Sequence, residues 1–468
     1  MLFNSFVFLV LFLVTFGLYY IPGLRKYQIH LLIASSLVFY AYDSPWLVLL
    51  LLFSAGLNTA VSYYVANGPA NRRKALATAG VAINLLVLIF FKYSPLFAHS
   101  FFNSNDPIGH FLVTIPLPIG ISFFTFEGIS LLVDCYTEKY MKNKEEIPAS
   151  FAAHSRNTLF FISFFPHLIA GPILKAHDFL PQIGEKTPKD IDWERCFKNL
   201  LTGYFLKMVV ADNLKDFTYW ISFPYFQSMS TITLVVMLFG YSCQIFADFA
   251  GYSLIAIGLA GLFGYRFQDN FNFPYISTSF KEFWKRWHIS LSSFLMEYLY
   301  FPLGGNRKGK IRTYLNLMVT MILGGLWHGA AISYAVWGGF HGLALALERF
   351  LGDKIKWRPS RLLLFLKGVI VFCFVTLAWL LFKLPNFSDV VQYLVSLKKN
   401  FFIGDRYDLI AYIFLYSSPV ILYHLLYLIK EKQAFVKVWK LDYMLYAVML
   451  FLIVTNSGSA GSFIYFQF

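Results

Sequence analysis

Apolar residues run along this chain in blocks of about twenty, separated by short basic or Gly- and Pro-bearing segments. Leu2–Ile21, Trp46–Val65 and Leu362–Phe382 each approach the roughly 20 residues that an α-helix needs to cross the hydrocarbon core. The pattern predicts an all-α polytopic membrane protein with about 11 transmembrane helices. The first block has no basic leader and no small-residue cleavage site, and further spans follow it. It therefore reads as the first transmembrane helix, not as a secretory signal.

Two stretches break the pattern. Phe160–Lys175 is apolar but interrupted by Pro166, Gly171 and Pro172, which favours a re-entrant hairpin over a clean crossing. Broken backbone at membrane depth needs cover from protein or a water-filled cavity, so a cavity is expected nearby. In Phe280–Tyr298, helical spacing puts Phe280, Phe283, Trp284, Trp287, Leu291, Phe294, Leu295 and Tyr298 on one arc. Lys281, Glu282, Lys285, Arg286, Ser292, Ser293 and Glu297 take the other side, as in an interfacial amphipathic helix. Ile289 and Met296 interrupt that polar side, so it is expected to meet protein as well, with His288 at the boundary.

Composition agrees with a lipid solvent: 58% of the 468 residues are hydrophobic and 14% charged, against about 25% charged in soluble domains. The net charge of +14 is explained by basic residues on cytoplasmic loops, and no nucleic-acid motif accompanies it. Those clusters are Arg25-Lys26, Arg72–Lys74, Lys139–Lys144, Arg307–Arg312, Lys354–Arg361 and Lys430–Lys440. Threading spans between them puts the N-terminus outside, with Asp43–Pro45 and the Asn103–Asp106 loop on the same side. Cys135, Cys196, Cys243 and Cys373 lack metal-type spacing and read as small buried hydrophobes. No metal site, phosphate-binding glycine loop or internal repeat is present in the sequence.

The candidate chemistry centres on Gly324-Gly325-Leu326-Trp327-His328-Gly329. An ionisable group inside a membrane is a functional-site hypothesis by default, and histidine exchanges a proton near neutral pH. Counted from a cytoplasmic span end near Tyr314, His328 lies roughly 20 Å deep, and the surrounding glycines are expected to leave a cavity beside it. His341 on the next, antiparallel span falls at a similar depth. Gln244 and Asp248 are four apart and share a helix face, where they bond each other or line a cavity. Glu127 and Asp134 are seven apart and share one face, where they are expected to pair with Lys or Arg, with tunnel lining as the alternative. His167 is expected to be packed or hydrogen-bonded.

Several blocks resemble one family closely. They are Gln244–Tyr252, Asn270–Tyr275, Phe283–Ser292, Pro302–Arg307, Gly324–Gly329 and Trp337–Gly342, with Pro118–Phe126 and His167–Pro172 upstream and Phe463–Phe468 at the end. The chain, with a signature block at about 241–350, resembles the membrane-bound O-acyltransferase family and its bacterial polysaccharide O-acetylation branch. The resemblance implies a single transmembrane domain over 1–468, with helices around a tunnel that crosses the bilayer. It assigns His328 as the catalytic histidine and His288 as the second catalytic polar residue. Trp327, His341, Gln244, Asp248, Asn270 and Trp287 are tunnel or substrate-lining candidates, and Lys285, Arg286 and Arg307 are donor-binding candidates.

The implied reaction moves acetyl from cytoplasmic acetyl-CoA, a substrate, to an extracytoplasmic polysaccharide, with no bound cofactor. Peptidoglycan is placed first and alginate or another exopolysaccharide next, on a Phe- and Lys-rich composition that disfavours alginate producers. The resemblance also implies a bacterial inner membrane and an extracytoplasmic partner of the SGNH-hydrolase type. Two other readings stay open: D-alanyl transfer to teichoic acid by a sister branch, and a proton-coupled transporter or glycan flippase.

Overall fold

The computed structural model describes residues 1–102, 106–138, 150–354, 360–431, 439–459, 461 and 463–464. The basic cluster at 139–144, most of those at 354–361 and 430–440, residues 103–105 and the C-terminal 465–468 lie outside the described residues. Among the described residues every regular element is helical. The chain forms two compact units, Met1–Leu200 with Ile255–Gln268, and Leu201–Leu254 with Asp269–Phe468.

The first unit contains α1 (Phe6–Tyr19), α2 (Gln28–Ala41), α3 (Leu47–Asn67), α4 (Ala70–Phe101), α5 (Ile121–Thr137) and α6 (Phe151–Ser163). The Ser5 hydroxyl caps α1 by accepting the Phe8 N–H. This helix has only 14 residues and turns by 109° into the segment that carries α2. The first apolar block thus forms one short helix, which is long and apolar enough for a span only together with the segment beyond the bend. Pro22, at the head of the following turn, cannot continue α1.

Polar groups are matched where these helices meet. The Asn84 amide donates to Asn58 Oδ1 at 2.9 Å, and Ser62 bonds His154 at 2.7 Å. On α5, Glu127, Ser130 and Asp134 face the segment that follows α6. Glu127 pairs with His167 at 2.7 Å, and Ser130 accepts the Ala176 N–H at 3.2 Å. Asp134 accepts from the His177 ring at 2.9 Å. Both carboxylates therefore have histidine partners, and at Glu127 an imidazole stands where the sequence suggested Lys or Arg. The cause is the buried path of residues 160–176, which brings His167, and His177 just beyond it, to one face of α5.

That path is interrupted, as its prolines and glycine predicted. The end of α6 is followed by one helical turn, Phe165–Leu168, and then by irregular backbone. Gly171 adopts φ +135°, and a Cβ there would lie 3.0 Å from the Ala256 methyl. Its far end, Ile173–Lys175, lines a cavity of about 320 Å³ together with Asp178, Phe179, Gln182 and Arg266–Gln268.

The second unit holds most of α7 (Thr231–Leu262), then α8 (Phe280–Arg286), α9 (Ile289–Leu295), α10 (Gly309–His328), α11 (Ile332–Lys354), α12 (Arg361–Lys383), α13 (Tyr407–Glu431) and α14 (Trp439–Thr455). Among the described residues, five helices are long and apolar enough to cross a membrane, α3, α4, α7, α12 and α13, or six if the bent α1–α2 pair is one span. Leu49, Phe53, Phe365, Ile370 and Phe414 are exposed on them, an outer surface suited to hydrocarbon. Cys135, Cys196 and Cys243 are buried as expected, but Cys373 is exposed on α12.

α10 and α11 form a hairpin whose backbones touch. A Cβ on Gly325 would come within 2.2 Å of the Tyr334 carbonyl, and one on Gly338 within 2.2 Å of the Met321 carbonyl. At Gly329 it would meet the Tyr334 ring at 2.3 Å, and at Gly324 the Leu295 side chain at 2.9 Å. These glycines admit neighbouring protein instead of leaving the open space expected beside His328. The helix also ends on His328, with Gly329 beyond it in extended conformation. The imidazole therefore sits at a helix terminus and not within a continuous span.

Candidate active site

The helix expected over Phe280–Tyr298 is broken between Trp287 and His288. α8 begins with the Ser279 hydroxyl accepting the Glu282 N–H, and the Glu348 carboxylate accepts the Phe280 N–H. It ends at Arg286, after which Trp287 is extended and His288 takes φ +44°, ψ +56°. A left-handed histidine is uncommon and must be held by its surroundings. Two backbone bonds do this: Asn272 N–H to the Arg286 carbonyl and Ile289 N–H to the Asn270 carbonyl, each 2.9 Å. The 270–272 strip thus draws the chain out of helix and turns the His288 ring into the protein.

Asn270 also fixes which nitrogen of His288 carries the proton. Its Oδ1 accepts the Ser290 backbone N–H at 3.2 Å and the Ser290 hydroxyl at 2.9 Å. A backbone N–H can only donate, so this amide atom is the oxygen. His288 Nδ1, 3.2 Å from the same Oδ1, must then be the N–H. The neutral ring presents its lone pair at Nε2. On the other side of the amide, Nδ2 donates to Ser253 at 3.1 Å.

The two candidate catalytic rings meet. His288 and His328 have centroids 6.3 Å apart, and both are buried, at 1% and 4% exposure. Trp327 lies 6.0 Å from His288 and 5.0 Å from His328. Phe249 covers His288 edge-on at 4.5 Å, while Trp337 and Phe382 lie 5.4 and 5.1 Å from His328. Trp379 joins this wall at 4.8 Å from Trp287 and 5.7 Å from Trp337. The result is an imidazole pair inside an aromatic, water-poor enclosure, where hydrogen bonds and charges act at short range.

The other candidates fall into four groups. Asn270, Trp287 and Trp327 join the enclosure, Asn270 through its hydrogen bonds and the tryptophans as wall. His341 is fully buried and touches Trp337 at 4.8 Å and Trp284 at 5.2 Å, and neither ring nitrogen has a hydrogen-bond partner among the described residues. Trp337 thus packs on both His341 and His328. Gln244 and Asp248 do not bond each other: Gln244 accepts from Thr218, and Asp248 pairs with Lys207 at 2.7 Å. A shared helix face was true of them, a shared partner was not. Lys285 and Arg307 are exposed and, among the described residues, lack an ion-pair partner, whereas Arg286 pairs with Glu282 at 3.0 Å.

Sequence reasoning missed Phe249, Trp337, Trp379 and Phe382 as site residues, because one residue in five is aromatic and the wall carries no distinctive spacing. Lys207 was also missed. A lone lysine inside Gly203–Ala211 was the available signal, since such a charge needs a buried counterpart.

The model of the membrane-bound O-acyltransferase (MBOAT) family matches residues 150–387, a span that contains every ring of the enclosure. The chain belongs to the membrane-bound O-acyltransferase family. This MBOAT protein shares 41% identity over 407 residues with the probable alginate O-acetylase AlgI of Pseudomonas aeruginosa, covering 82% of this chain and 72% of that protein. The peptidoglycan O-acetyltransferase of Helicobacter pylori is 34% identical over 385 residues, covering 78% and 72%. The teichoic acid D-alanyltransferase of Bacillus subtilis is 26% identical over 397 residues, covering 80% and 96%. The protein is thus a multi-pass membrane acyltransferase that fits the polysaccharide O-acetylation branch.

Proposed function

We propose that this enzyme takes acetyl from cytoplasmic acetyl-CoA and passes it across a bacterial inner membrane for O-acetylation of an extracytoplasmic polysaccharide. The observation that carries the reading is the buried His288–His328 pair, 6.3 Å apart, inside the family-matched region. In this reading one neutral imidazole, His328, takes the proton from the acceptor hydroxyl as its oxygen attacks the thioester carbonyl. The carbon–sulfur bond breaks, and CoA leaves as the thiol with the proton that His328 took from the acceptor. His288, with its proton held on Nδ1 by Asn270, orients the acceptor, which donates a hydrogen bond to the lone pair on Nε2. The exposed Lys285 and Arg307 supply cations for the CoA phosphates.

The acceptor side carries two further proposals. The N-terminus lies outside, and a separate extracytoplasmic protein of the SGNH-hydrolase type completes transfer to the sugar. Identity to the alginate relative, 41% against 34% for the peptidoglycan one, moves the first acceptor to test from peptidoglycan to an alginate-type exopolysaccharide. A donor panel tests the reading. Purified enzyme is given acetyl-CoA or a D-alanyl carrier-protein thioester, and release of the free thiol is followed. Turnover of acetyl-CoA alone supports the proposal. Turnover of the D-alanyl thioester alone moves the protein to the sister branch, and turnover of neither overturns the donor assignment.

A further inference from the structure

The most densely bonded charge cluster away from the imidazole pair is Lys207 with Asp212 and Asp248. All three are at most 5% exposed. Lys207 sits in the π-helical turn Phe205–Ala211. α7 presses close against it: a Cβ on Gly251 would lie 2.8 Å from the Gly203 carbonyl and 2.9 Å from the Lys207 nitrogen. That approach brings Asp248, one turn earlier on α7, to the lysine.

The ammonium donates to Asp212 Oδ1 at 2.8 Å, pairs with Asp248 Oδ1 at 2.7 Å, and donates to the Gly461 carbonyl at 3.3 Å. Two of its N–H groups donate hydrogen bonds, and the Asp248 carboxylate adds an ion pair beside them. Asp248 uses its second oxygen to accept the Ile464 backbone N–H at 2.7 Å. The cluster therefore grips the C-terminal tail by main-chain atoms on both sides of position 462. Upstream, Gly458 N–H bonds the Met208 carbonyl at 2.9 Å, and Asn213 bonds the Asn456 carbonyl at 3.0 Å. A Cβ on Gly458 would lie 2.7 Å from the Asn213 nitrogen, so the tail runs flush against this turn.

Between the gripped residues, Phe463 is fully buried. Its ring stacks on Tyr252 at 4.5 Å and touches Phe249 at 5.8 Å. Phe249 in turn lies 4.5 Å from the His288 ring. We propose that Lys207, Asp212 and Asp248 form a docking lock for the C-terminal tail, and that the locked Phe463 is a positioning residue that sets Phe249 against His288. This rests on the reading of His288 as part of the acyl-transfer site. Charges suit such a lock because they bind main-chain groups in one register, where apolar packing alone lets a tail slide.

The test uses the full-length chain with Phe463→Ala, Phe463→Tyr, Asp248→Asn and, in parallel, His328→Ala. Acetyl-CoA turnover is measured together with amide hydrogen exchange over 456–464. Phe463→Ala leaves the charged cluster intact, so it keeps the test valid even where Asp248→Asn fails to fold. The lock predicts a fall in kcat of about tenfold in Phe463→Ala with the KM for acetyl-CoA little changed, and recovery in Phe463→Tyr. Asp248→Asn speeds exchange in the tail and lowers kcat alike. Wild-type turnover in Phe463→Ala overturns the lock and leaves the active-site reading standing. Unchanged turnover in His328→Ala overturns the active-site reading itself, and the lock with it.

Discussion

Asn270 Oδ1 accepts both the Ser290 backbone N–H and the Nδ1 proton of His288, at 3.2 Å each. The amide thereby fixes the histidine's tautomer while the main chain beside it fixes its left-handed backbone. Asn270 acts on the site through another residue, which makes it a positioning group.

Asn270→Ala is expected to lower kcat by about 10- to 100-fold, the range seen when the partner that orients a functional imidazole is removed. Asn270→Asp keeps an acceptor for Nδ1 and for Ser290, so it retains more activity and shifts the pH–rate profile. Steady-state kinetics on the three proteins decide this. Equal activity in all three contradicts a positioning role.

His341 has no hydrogen-bond partner for either nitrogen among the described residues and is enclosed by Trp337, Trp284 and Phe283. Replacing a buried polar ring of this kind by an apolar side chain of similar size is close to neutral. His341→Leu is therefore expected to keep its fold and most of its turnover. A loss as deep as that of His328→Ala makes His341 part of the chemistry.

Glu127 and His167 pair at 2.7 Å with no solvent exposure. Removing one partner strands the other, at a cost of about 3–5 kcal/mol, while removing both together costs far less. Thermal unfolding in detergent of Glu127→Leu, His167→Leu and the double variant gives the coupling. Additive losses in the double variant contradict direct pairing.

Gly325 and Gly338 permit the α10–α11 contact, with a Cβ at either falling 2.2 Å from a carbonyl oxygen. Gly338→Ala is expected to destabilise by about 1–3 kcal/mol as overpacking does. Gly339→Ala meets only the Ile322 side chain, at 3.9 Å, and serves as the tolerant control. Matching melting temperatures for the two variants would falsify the close approach.

Much of this was legible in the chain. The apolar blocks predicted α3 and α12 nearly to their ends, and the motif blocks named both histidines that the structure brings together. What was not legible depended on partners distant in sequence. The periodicity of Phe280–Tyr298 reads as one helix, because nothing local reveals that Asn270 and Asn272 will capture its backbone. The glycines around His328 read as empty space, because their occupants, Tyr334 and Leu295, lie on other elements. Glu127 reads as a partner for Lys or Arg, because charge sign alone does not tell which segment will be buried beside α5. Asp248 pairs with Lys207, 41 residues earlier, a separation at which helical spacing says nothing.

The most direct measurement is acetyl-CoA turnover by purified wild-type enzyme beside His328→Ala and His288→Ala, with folding of each checked by thermal unfolding. The expected result is CoA release by the wild type, loss of at least about 100-fold in a folded His328→Ala, and a smaller loss in His288→Ala. CoA release that survives His328→Ala unchanged would contradict the account.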